Sequence, residues 1–166
     1  SYYNGDKCVV TIDTSVIEKQ ENNENKLVDY MKLFHRIGGI GDSLMSGELA
    51  YKDDQGVAHY DDKYDFSWLS NIARTTGATY EHYSVGGMTA KDWMADKSGL
   101  KTKLNNDTKC SAYFIGLLTN DANKNYSVGS VTDKAGTDTF AGQFKSIIDL
   151  VRTKNPYATL FLVSSY

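Results

Sequence analysis

Apolar residues along this chain come in short blocks separated by longer polar stretches. Leu33 to Ile40, Thr79 to Val85, Ser111 to Leu118 and Ala158 to Ser164 are runs of strand length, read as apolar on both faces rather than alternating, although the first two include His35, Arg36, Glu81 and His82. That is the pattern of strands covered on both sides. Between them the period changes to helical. Asp65 can cap a helix carrying Phe66, Leu69, Ile72 and Ala73 on one face, with Gly77 as its stop. Thr89-Ala90-Lys91-Asp92 has capping-box form ahead of Trp93 and Met94. Phe140, Phe144, Ile147, Ile148 and Val151 recur at i, i+4, i+7, i+8 and i+11, the clearest amphipathic helix in the chain.

Strands alternating with helices predict an α/β fold in which a parallel sheet lies between helical layers with right-handed crossovers. Ahead of it, Cys8-Val9-Val10-Thr11-Ile12 is a short β-rich stretch, and residues 18–26 are polar without period. The expected division is therefore an N-terminal strand with a polar linker over 1–31, the remnant of a preceding domain or an added strand, and a main domain over 32–166. The chain begins at Ser1 and stops just past a predicted core strand. Termini usually lie at the surface, so a natural continuation is expected.

Gly41-Asp42-Ser43, Gly86-Gly87-Met88-Thr89 and Thr119-Asn120-Asp121 each follow a predicted strand. In a parallel sheet all strand C-termini share one edge, and ligands bind outside it where the strand order reverses. A hydroxyl, a glycine N–H and a carboxamide are thus expected to meet. Ser43 can attack a carbonyl. The resulting oxyanion needs neutral donors, which a backbone N–H at a helix start and the Asn120 amide supply. Gly87 lets substrate approach the backbone closely.

Composition narrows the field. The 166 residues are 40% hydrophobic and 23% charged, with 18 basic against 21 acidic side chains, a formal charge of −3. That fits one globular domain and gives no global basic footprint for nucleic acid. No run approaches membrane-span length. Cys8 and Cys110 lack metal-ligand spacing and read as two free buried thiols, with a disulfide as the alternative. His35 is expected within or at the start of the first strand, and His82 mid-strand on the side of Tyr80 and Ser84. His59 sits in a polar loop. None of the three is assigned as a base, no metal spacing occurs, and no cofactor is expected. Gly38-Gly39-Ile40-Gly41 lacks the spacing of a dinucleotide loop. Trp68 and Trp93 are expected in the core.

Ile40-Gly41-Asp42-Ser43-Leu44 resembles the first block of the SGNH (GDSL-type) hydrolases. Ser84-Val85-Gly86-Gly87-Met88-Thr89 is similar to their second block and Ile115-Gly116-Leu117-Leu118-Thr119-Asn120-Asp121 to their third, in the same order. The resemblance covers roughly residues 33–166. It implies a flavodoxin-like three-layer α/β/α sandwich and metal-free ester hydrolysis. In it Ser43 is the nucleophile and a donor, and Gly87 and Asn120 are the other oxyanion donors. Two departures stand out. Leu118 occupies a position where the family has glycine, which is expected to narrow the pocket floor. The family's closing Asp-x-x-His is absent from the chain, so the last strand and the catalytic pair are missing and the chain alone is expected to be nearly inactive.

The acidic, aromatic stretch Tyr51–Tyr64 reads as a solvated loop or as a rim that stacks on sugars; Asp53, Asp54, Asp61 and Asp62 lack an EF-hand pattern. With no exposed apolar run for a long lipid, the expected substrate is a short-chain ester, O-acetyl on carbohydrate. The alternatives are a lysophospholipase or thioesterase of the same type, or a non-catalytic carbohydrate-binding or adhesion module within a larger surface protein. Expected partners are the small ester or acetylated carbohydrate, further domains, and a complementing C-terminal segment. No nucleic acid is expected.

Overall fold

The computed structural model describes residues 28–164 in full and the backbone of 2–4 and 7–9. The chain forms two compact units, Ser1–Leu33 and Phe34–Tyr166. In the first, β1 (Tyr2–Asn4) pairs antiparallel with β2 (Lys7–Val9), Tyr2 opposite Val9. Of the β-rich stretch expected at 8–12, residues 8 and 9 are in this strand; the rest, and the linker at 18–26, lie outside the described residues.

The second unit is a doubly wound α/β sandwich. Its strands β3 (Arg36–Gly41), β6 (Thr79–Ser84), β7 (Ala112–Gly116) and β8 (Thr159–Leu162) form a parallel sheet in the order β6-β3-β7-β8. Between β3 and β6 run the short helix α1 (Ser43–Ser46), an antiparallel hairpin of β4 (Leu49–Lys52) and β5 (Ala58–Asp61), a 3-10 turn (Tyr64–Phe66), and α2 (Trp68–Thr76). Between β6 and β7 come α3 (Ala90–Met94) and α4 (Leu100–Asn106). Between β7 and β8 come α5 (Thr119–Asn123) and α6 (Phe140–Lys154). The chain steps from β3 outward to β6, then returns past β3 to β7, so the order reverses at β3.

The central strand is glycine-rich because both its faces are crowded. A Cβ at Gly38 would meet the Tyr113 ring at 2.8 Å and Tyr83 at 3.1 Å; one at Gly39 would meet Leu69 at 2.7 Å and Met45 at 2.8 Å. These glycines serve packing. One face carries the main core, in which Ile40, Tyr83, Trp93, Leu104, Tyr113, Ile115, Ile147 and Val151 are essentially buried. Trp93 also donates its indole N–H to the Tyr83 carbonyl at 2.9 Å. Cys110 is a free, buried thiol.

Several boundaries move from their expected places. The first strand starts at Arg36, where pairing with Thr79 begins, and leaves His35 exposed ahead of it. The helix expected from Asp65 is capped instead by Ser67, whose hydroxyl accepts the Ser70 N–H at 3.1 Å. The Asp65 carboxylate is taken by the Tyr80 hydroxyl at 2.6 Å, and Phe66 is left 81% exposed. The last strand is a sheet edge among the described residues, not a buried strand: Leu162 is 61% exposed, because β8 pairs with β7 alone. Trp68 is half-buried at a cavity rather than in the core.

Candidate functional site at the strand C-termini

Gly41 at the end of β3 pairs with Ser84 at the end of β6 and with Gly116 at the end of β7. Three strands therefore end level, and the segments that follow them emerge on one edge. After β3, Asp42 caps α1: its Oδ1 accepts the Leu44 N–H at 3.0 Å, which puts Ser43 at the first helical position. Asp42 is only 1% exposed, and burial raises its carboxyl above the usual range. After β6, the chain turns at Gly87, whose φ of 75° suits glycine and leaves it exposed. Thr89 then caps α3, accepting the Asp92 N–H at 3.0 Å, as its capping-box spacing predicts.

The third block ties the other two together. The Asn120 amide donates to Asp42 Oδ2 at 3.3 Å and to the Met88 carbonyl at 3.1 Å. The neighbouring Asp121 is buried and accepts the Ala90 N–H on both oxygens, at 3.1 and 3.3 Å. Burial, with Asp42 and Asp92 nearby, pushes the Asp121 carboxyl up to about 6, against the pull of its backbone donors. The Asn-Asp pair is thus a brace between blocks, more than a local turn.

Among the described residues the N–H groups of Ser43 and Gly87 have no hydrogen-bond partner, and neither has the Ser43 hydroxyl. No histidine reaches that hydroxyl. His59 Nε2 lies 2.8 Å from Asp53, with its ring stacked on Tyr51. His82 is buried between the Ser67 hydroxyl (3.1 Å) and the Ser84 hydroxyl (2.9 Å), and burial, helped by Lys103, pulls it down to about 4. His35 is exposed and lies before the N-terminal end of β3, at the opposite edge of the sheet.

Sequence reasoning missed Asp62. From the end of the hairpin it accepts the Gly86 N–H, at 3.1 and 3.3 Å to its two oxygens, and the Ser46 hydroxyl. It therefore clamps the helix carrying Ser43 to the turn carrying Gly87. Glu48 shares this corner, and burial with Asp62 and Asp42 nearby raises its carboxyl. Two further pairs form at the hairpin, Asp53 with His59 and Asp61 with Lys63 at 3.1 Å. No spacing signal marks Asp62, since its partners lie 16 and 24 residues away.

Leu118 adopts φ 144° and ψ −37° at the start of α5, a backbone region that disfavours side chains. It lines neither cavity at this edge; its departure from glycine appears as backbone strain rather than a narrowed floor. One cavity, about 50 Å³, is lined by Asp42, Leu44, Met45, Trp68, Leu117 and Val163, so it touches the residues on either side of Ser43 but not Ser43 itself. The Thr119 hydroxyl on its wall is buried without a partner.

The structure is similar to that of a possible lipase from Chitinophaga pinensis (23% identity, TM-score 0.53, 76% of this chain and 47% of that one). It is also similar to a GDSL-like lipase from Bacteroides uniformis (16%, TM-score 0.59, 79% and 71%). A third likeness is to a family two carbohydrate esterase from Clostridium thermocellum (18%, TM-score 0.52, 77% and 42%). The chain has the SGNH-hydrolase fold. Its three blocks occupy the level strand ends of that fold, and the chain spans about half the length of two of these structures. No family model matches the sequence, and no curated protein matches it. Among the described residues no helix is long and apolar enough to cross a membrane. Nor is any group of three His, Cys, Asp or Glu arranged to hold a metal ion.

Proposed function

We propose that this chain carries the nucleophile and oxyanion site of a serine esterase acting on short acyl esters, O-acetyl groups on carbohydrate being the preferred class. The observation behind this reading is the Asn120 amide, which touches Asp42 of the first block and Met88 of the second. In the proposed reaction Ser43 Oγ attacks the ester carbonyl carbon, its proton passes to the general base that later hands it to the departing alcohol, and the π pair moves to the carbonyl oxygen. That oxyanion accepts from the unpartnered Ser43 and Gly87 N–H groups. It also accepts from Asn120, whose 3.3 Å bond to Asp42 is the one that yields. Collapse re-forms the carbonyl and expels the alcohol, which takes a proton, leaving an acyl-serine that water hydrolyses. Among the described residues none is placed as a base for Ser43, so in this reading full catalysis draws its base from outside them. What remains without a triad base is roughly a 10³–10⁴-fold gain over water, from the oxyanion donors and binding.

The cavity of about 50 Å³ lined by Asp42 and Leu44, the chain neighbours of Ser43, favours a small acyl group in this reading. It exceeds the ~10–15 Å³ that one water needs and falls far below the ~300–1,000 Å³ of drug-sized pockets. The test is p-nitrophenyl acetate hydrolysis together with fluorophosphonate labelling. Activity and label that disappear in Ser43→Ala, acylation about 10²–10³-fold slower in Asn120→Ala, and preference for acetate over octanoate support the reading. Activity unchanged in Ser43→Ala removes it.

A further inference from the structure

A second cavity, about 180 Å³, opens between the start of α3, the end of α5 and the start of α6. Its wall includes Asp121, 1% exposed, whose carboxylate receives only the Ala90 N–H from another residue among the described ones. A carboxylate offers roughly four lone-pair sites, so acceptor capacity is left over. Lys91 stands on the same wall, paired with Asp138 at 2.7 Å and placed 5.9 Å over the Tyr126 ring, itself 37% exposed. Gln143 gives its amide N–H to the Thr137 carbonyl at 3.0 Å and keeps its carbonyl oxygen as an acceptor. The lining thus combines acceptors, an ammonium donor and an aromatic surface. Two carboxylates disfavour an anion, and an apolar chain would leave the spare acceptor capacity of Asp121 and the Gln143 carbonyl oxygen unused. A neutral ligand with several hydroxyls fits: its hydroxyls donate to Asp121 and Gln143, accept from Lys91, and its C–H face rests on Tyr126. The volume suits a single ring rather than a drug-sized ligand.

We infer that the groove bounded by Lys91, Asp121, Tyr126 and Gln143 is a binding subsite for one neutral sugar residue. It adjoins the proposed oxyanion site, since Asp121 follows Asn120 and holds Ala90, three residues past Gly87. The sugar's role as the alcohol portion of the ester rests on the esterase reading; the binding itself does not.

The experiment is a titration of the ¹⁵N-labelled 166-residue chain with xylotriose and with cellotriose, followed by amide spectra. The expected result is saturable shifts at Lys91, Tyr126, Ser127 and Thr139 with at least one of the two. Binding stays unchanged in Ser43→Ala and weakens about tenfold in Tyr126→Ala and in Lys91→Met, whose spectra also report that they fold. No saturable shift at these amides with either sugar, shifts confined to the 49–61 hairpin, or affinity unaltered in both groove variants would overturn the inference. p-Nitrophenyl acetate hydrolysis unchanged in Ser43→Ala, with sugar binding intact, would remove the esterase reading and leave the groove standing.

Discussion

Lowering the pH from 7 to 5 sets two buried groups at this sheet against each other. His82 titrates at about 4 in the folded chain against 6.5 for a free imidazole, because burial and Lys103 disfavour its charge. A depressed value means stability that is present above pH 6.5 and is lost as the pH falls towards 4. Between pH 7 and 5 the loss is about 2 kcal/mol. Asp121 has the opposite sign. Its carboxyl titrates at about 6 against 3.8 when free, so folding favours its protonated form. Stability is lost as pH rises from 3.8 through 6, and acidification from pH 7 to 5 returns about 1 kcal/mol. The wild-type chain should therefore lose only about 1 kcal/mol, which conceals both effects. Urea unfolding at the two pH values separates them. Asp121→Asn keeps an acceptor for the Ala90 N–H and should lose the whole ~2 kcal/mol on acidification. His82→Gln keeps polar contacts to Ser67 and Ser84 and should gain about 1 kcal/mol. If all three chains respond to pH in parallel, the placement of His82 and Asp121 in buried sites is wrong.

Three shorter tests follow. At Leu118 the usual order of residues should invert: Leu118→Gly should be more stable than Leu118→Ala by about 1 kcal/mol in thermal melts, because φ 144° strains any side chain. Asp62→Ala should cost about 1–3 kcal/mol by leaving the Gly86 N–H unpaired and the Ser46 hydroxyl with only the Ser43 carbonyl at 3.3 Å. It should also speed amide exchange at Gly86 and Gly87, with Asp62→Asn falling between. Ser67→Ala should cost about 1 kcal/mol in denaturant midpoint if it caps α2, whereas Asp65→Ala should leave that helix's cap intact.

The block pattern of the sequence determined the parallel sheet and roughly where its strands lie; β7, paired on both sides and buried from Ala112 to Ile115, is the continuous apolar run, whereas β6 and β8, each paired on one side, carry polar or exposed residues. It also determined which three segments would meet. Strand ends of one parallel sheet share an edge, so the segments bearing Ser43, Gly87 and Asn120 could be expected at that edge before the contacts of Asn120 with Asp42 and Met88 were known. The Thr89 cap and the amphipathic α6 were legible too, since both are local. Tertiary structure decided the rest. Asp65 has the composition of a cap, but the Tyr80 hydroxyl, 15 residues on, holds its carboxylate, and Ser67 caps the helix instead. Asp62 reads as one acid in a polar loop until the hairpin carries it to Gly86, 24 residues away. Asp121 becomes a titrating group near 6 only when α3 and the sheet bury it. Periodicity records which face of an element meets the interior. It does not record which polar group, dozens of residues distant, is waiting there.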